Sequence, residues 1–99
     1  MGGSFIKQPY EEFQFPNEWA GKLPTGASLS TAALSAVDED GNDASTLVLQ
    51  STTGTISGTQ VIIGVKAGAA GKKYKITDRV VLSNADKLED DIWMYVEEK

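Results

Sequence analysis

The sequence predicts an all-β fold: a two-sheet antiparallel sandwich of about seven strands. Several windows alternate apolar and polar residues with period two. Apart from an Ala-rich turn at 31 to 36, none repeats apolar residues at helical spacing for three turns. Clusters of Gly, Pro, Asn, Asp and Ser separate the alternating runs, and about seven short strands between turn signals, in a chain of 99 residues, is the pattern of one sandwich domain.

Taken in order, residues 1–8 read as a flexible N-terminal arm and 9–98 as a single domain. Pro9 and Pro16 bracket a first strand at 10 to 16, with Phe13 and Phe15 in register. Proline cannot donate to a ladder, so this strand belongs at a sheet edge. Weaker candidates follow at 27 to 37 around Leu29 and Val37, at 45 to 50 with Leu47 and Leu49, and at 53 to 57. The clearest strand is 59 to 67, where Val61, Ile63, Val65 and Ala67 share a face. In 72 to 83, Tyr74, Ile76, Val80 and Leu82 face one way and Lys73, Lys75, Thr77, Arg79 and Ser83 the other. The last strand, 88 to 97, turns Leu88, Ile92, Met94 and Val96 inward and Trp93 and Tyr95 outward.

Composition removes most chemistry. The chain has no cysteine and no histidine, hence no thiolate nucleophile, no imidazole proton shuttle and no usual zinc ligand set. A net charge of −5 opposes nucleic-acid binding, which needs clustered cations; Lys72, Lys73, Lys75 and Arg79 are too few to line a groove. The N-terminal residues hold no apolar stretch of a standard secretion signal, and no run approaches the roughly 20 apolar residues that span a bilayer. Ile6 stands where a myristoylation motif requires Ser or Thr.

Three motif-like strings fail on spacing. Gly68-Ala-Ala-Gly71-Lys72 has Lys66 and Lys73 where a phosphate-binding loop needs Gly and Ser or Thr, so its glycines read as a turn that admits positive φ. Gly54 to Gly58 misses the nucleophile elbow by one place, and no histidine exists to activate a serine. Asp90 and Asp91 are adjacent on a strand and point to opposite faces, so they cannot flank one glycosidic bond. The expectation is a chain that is not an enzyme and carries no cofactor. The acidic loop 38–43 alternates oxygen donors but has Asp43 and Leu49 where an EF-hand has Gly and Glu. In a sandwich it is expected as a B–C loop at the same end as the acidic 86–91 segment, an acidic pole either merely solvated or weakly Ca²⁺-binding.

Gly71 turning into Tyr74 at the start of an alternating strand matches the tyrosine corner of immunoglobulin-like sandwiches, in which the hydroxyl returns to backbone a few residues upstream. With Phe-Ile-Lys-Gln-Pro at 5–9, then Trp19, then Gly71-x-x-Tyr74-x-Ile76-Thr-x-Arg79-Val-x-x-Ser83 and a last strand ending Ile92-x-Met94-x-Val96, the chain resembles small phage and prophage tail-associated structural proteins of the fibre-tail adaptor type, with an immunoglobulin-like fold. It departs from that pattern at Asp78, a carboxylate at an inward position, and in its more acidic last loop.

The resemblance implies a non-enzymatic virion protein, a tail or head-tail adaptor in the virion or in the bacterial cytoplasm before assembly. Its partners would be other virion structural proteins, with no nucleic acid and no membrane, and the isolated domain would be a monomer. The competing reading is an immunoglobulin-like binding module on a fibre or cell surface that contacts carbohydrate or a receptor. For either, the expected interface is an outward patch of Trp93, Tyr95, Val81 and Val48, since exposed aromatics are frequent anchors. The bland alternative has Trp93 covered by the N-terminal arm through Phe5 or Ile6. Tyr74, Gly71 and Trp19 are expected to be structural, Trp19 in the core. Asp78 is expected as a partly buried structural carboxylate at the sheet rim, because an unpaired buried one is costly.

Overall fold

The computed structural model describes residues 3–98. Among these, seven strands form two sheets: β1 (Ser4–Lys7), β2 (Phe13–Glu18), β3 (Leu29–Asp38), β4 (Thr55–Ser57), β5 (Gln60–Val65), β6 (Lys73–Leu82) and β7 (Lys87–Val96). The four-stranded sheet runs β1-β7-β6-β3 and the three-stranded sheet β2-β5-β4. The orders β2-β5-β4 and β3-β6-β7 are the B-E-D and C-F-G groupings of immunoglobulin-type sandwiches. No helix of the described residues is long and apolar enough to cross a membrane.

Alternation does the sorting. In β6, Tyr74, Ile76, Val80 and Leu82 are buried, and their β7 partners Met94, Ile92 and Leu88 lie beside them on the inner face. Val61, Ile63 and Val65 of β5 oppose them from the other sheet, with no measurable exposure. Core side chains press against the backbone at Gly54, where an added Cβ would stand 2.4 Å from Val61 Cγ1 and 3.0 Å from Ala32 Cβ. Any side chain there would force the β5 core apart.

Four expectations change. Residues 4–7 do not form a loose arm: they pair in parallel with β7, Ser4 opposite Trp93 and Ile6 opposite Tyr95, the one parallel pairing among the described strands. The segment 45–50 is not a strand but begins as a short helix, α1 (Ser45–Val48). Asp43 accepts hydrogen bonds from the Ser45 N–H (3.1 Å) and hydroxyl (2.7 Å), which starts the turn and rotates Val48 and Leu49 into the core while Leu47 stays exposed. The acidic loop 38–43 follows the third strand rather than the second, and it lies at the opposite end of the sheet from the 83–86 turn, because Asp38 pairs with Tyr74 while Leu29 pairs with Leu82. No acidic pole forms. Finally, Asp78 sits mid-strand, fully buried, not at a rim.

Candidate protein-docking surface

The outer face of the four-stranded sheet is built from the second parity of each strand. Across it, the rows read Ile6, Tyr95, Lys73 and then Ser4, Trp93, Lys75, Val37. Ile6 is 53% exposed and Tyr95 36%, while Trp93 is half-buried under the Lys73 ammonium, 5.3 Å from its ring centroid. That ammonium on the π face adds a modest cation–π attraction. Lys73 and Lys75 have no ion-pair partner among the described residues.

The expected patch is therefore only partly assembled. Trp93 and Tyr95 lie together, but Val81 pairs with Lys87, six residues along β7 from Trp93 and roughly 20 Å away at strand rise. The rows between them are polar: Thr77 donates to Asp91 at 2.9 Å, and Arg79 pairs with Glu89 at 2.7 Å. Val48 is not on this face at all; it is wholly buried under β3, carried there by α1. Ile6 takes its place in the patch. Sequence reasoning missed it because the alternation of four N-terminal residues says nothing about a parallel partner ninety residues away.

Beneath this face lies a buried polar centre. Asp78 Oδ2 accepts from Asn17 Nδ2 (2.9 Å) and from the Trp19 indole N–H (3.1 Å), both from the β2 side of the sandwich. Its Oδ1 is buried without a hydrogen-bond partner. Burial pushes the Asp78 carboxyl above the usual range; the bonds from Asn17 and Trp19 oppose this, and Asp90, directly opposite on β7, adds to it. Lys22 Nζ lies 3.9 Å from Asp90. Trp19 is fully buried, so Asp78 ties the two sheets together through an indole that is itself core.

Two further anchors hold the edges. The Tyr74 hydroxyl accepts from the Ala69 N–H at 3.0 Å, closing the turn before β6, where Gly71 has φ 83° and donates to Val96 O at 2.8 Å. Lys7, fully buried, donates to the carbonyls of Gln8 (2.7 Å), Pro9 (3.2 Å) and Ala67, so β1 is pinned to the β5–β6 loop by an ammonium capped with backbone oxygens. Burial holds its pKa below the usual lysine value. No sequence signal marks that role, since a lysine after an apolar pair reads as solvated.

Between β1 and β2 the sandwich is open. Phe5, Phe13 and Phe15 cluster there, ring centroids 4.9 to 6.4 Å apart, around a groove of about 360 Å³ that also meets Pro16 and Ile92. The acidic loop, by contrast, spends its oxygens internally: Asp38 accepts from the N–H groups of Asp40 and Asn42, both at 2.9 Å, which lowers its pKa. Among the described residues no three acidic side chains are grouped to hold a metal ion.

Compared with known families, residues 7–95 match the family model described as podophage GP4 fiber-tail adaptor protein gp77. No curated protein matches the chain.

Proposed function

Because the chain belongs to the podophage GP4 fiber-tail adaptor family gp77, and is thus a phage structural protein, we propose that it joins virion proteins by surface contact alone, without chemistry of its own. The observation that carries this is the pairing of Ile6, Tyr95 and Trp93 in two adjacent rows, beside Lys73 and Lys75, on the outer face of the four-stranded sheet. Trp and Tyr are the residue types most enriched in hot spots, and a polar rim around them is the usual interface anatomy. Farther along the outer sheet, Arg79 is paired with Glu89 and Asp91 is bonded to Thr77. The carbohydrate-binding alternative is disfavoured: the Lys73 ammonium sits over the indole, on the kind of ring face a sugar would stack against.

The test is calorimetry against the purified fibre and tail proteins of the same particle. Trp93→Ala should cost roughly 30-fold in affinity, about 2 kcal/mol, for one of them, with an unfolding midpoint near that of the parent. Unchanged binding in both Trp93→Ala and Tyr95→Ala would remove the face from the interface.

A further inference from the structure

The four sheet edges are protected unequally, and an unprotected edge is a template for another strand. The outer edge of β3 is covered by the chain itself: Ala44 and Gly54 donate to Ala36 and Ala32 at 2.8 and 3.0 Å, and Leu34 and Asp38 donate to Thr52 and Asn42 at 2.8 and 2.9 Å. β4 is three residues long. In β2, the Trp19 N–H bonds to Thr59 O at 2.9 Å, so with the antiparallel register positions 13, 15 and 17 face β5 and 14 and 16 face outward. Pro16 therefore stands at the free edge, where its missing N–H blocks pairing.

β1, four residues long, has neither a covering segment among the described residues nor a proline within it. Trp93 donates to Gly3 O at 3.0 Å and Glu97 to Lys7 O at 2.9 Å, which turns positions 3, 5 and 7 toward β7 and leaves the N–H and C=O of Ser4 and Ile6 facing outward. These groups have no hydrogen-bond partner among the described residues, both residues are exposed, and the lysine that ends the strand is buried inward. The Phe5–Phe13–Phe15 groove opens directly beside this edge.

We propose that β1 accepts an extended segment of a partner virion protein as an added strand. Its backbone pairs with Ser4 and Ile6, a bulky apolar side chain fills the phenylalanine groove, and a Lys or Arg lies toward Glu11 and Glu12. Those two carboxylates stand at the Lys7 end of the groove, next to Phe13, on a chain whose net charge is −5. The same charge opposes a second copy at this edge, where self-pairing would engage only two residues per chain. The inference rests on the adaptor reading and uses the backbone edge of β1, which borders the Trp93 face to which Ile6 contributes its side chain.

The test is amide hydrogen exchange of the free chain and of the chain in assembled tails, with Ile6→Pro and Ile6→Val. Proline at position 6 deletes one outward donor and no bond to β7; valine keeps the donor. Exchange at Ser4 and Ile6 should slow at least tenfold on assembly. Ile6→Pro should enter tails at least tenfold less than Ile6→Val, with similar unfolding midpoints. Unchanged exchange, or equal incorporation of the two variants, overturns the proposal. Should Ile6→Pro fail to fold, exchange in the parent chain decides alone. Trp93→Ala leaves the β1 backbone intact, so the Ser4 and Ile6 amides should still slow at least tenfold in the tails it enters; exchange there as fast as in the free chain would assign the slowing to the Trp93 face and overturn the added strand.

Discussion

Replacing Asp78 separates two effects that its burial combines. Asp78 Oδ2 takes two buried donors, Asn17 Nδ2 and the Trp19 indole N–H. Asp78→Ala orphans both, at about 1 to 3 kcal/mol each. Relief from burying a carboxylate opposite Asp90 offsets part of this, so the net loss is about 2 to 4 kcal/mol at neutral pH. Asp78→Asn keeps an acceptor in the Oδ2 position and removes the charge, so it should lie within about 1 kcal/mol of the parent near pH 4.

With rising pH the two should diverge. Burial first, then Asp90, raises the folded carboxyl above its ordinary 3.8. Between 3.8 and the folded value, the folded chain holds a proton that the unfolded chain has released, so the stability owed to this group falls as pH rises through that window and levels off above it. The asparagine does not titrate. Urea denaturation from pH 3.5 to 8 should therefore show Asp78→Asn gaining on the parent as pH rises. A constant difference, or an asparagine variant as unstable as the alanine one, would refute the reasoning.

Two further substitutions test the scaffold. Tyr74→Phe removes the acceptor for the Ala69 N–H and should cost about 1 to 3 kcal/mol by chemical denaturation, with faster amide exchange at Ala69; a neutral result would make the corner ornamental. Gly54→Ala places a methyl within 2.4 Å of Val61 Cγ1 and should lower stability by about 2 to 3 kcal/mol, while Gly58→Ala, with open space around its Cβ, should lose only what its φ of 62° costs a non-glycine residue, about 1 kcal/mol; equal losses would exclude packing as the cause.

The sequence by itself determined the layers. Period-two alternation assigns each residue of β5, β6 and β7 to a face without knowledge of any partner, so the core set from Val61 to Val96 and the outward turn of Trp93 and Tyr95 were legible. Gly71 and Tyr74 likewise announced a local turn, and the hydroxyl closes it within five residues. The failures share one cause. Val48 went inward because a four-residue helix, whose first residue Ser45 is bonded to Asp43, replaced a strand whose two leucines fit either geometry. Asp78 is tolerated mid-core because Asn17 and Trp19 reach it from about sixty positions away. Ile6 joined the docking face, and Lys7 became a buried clamp, because β1 lies parallel to a strand at the far end of the chain. Side-chain parity is a local property that the order of residues carries. Which strands become neighbours, which edges stay open, and which buried charge finds a donor are long-range outcomes, set only when the two sheets close on one another.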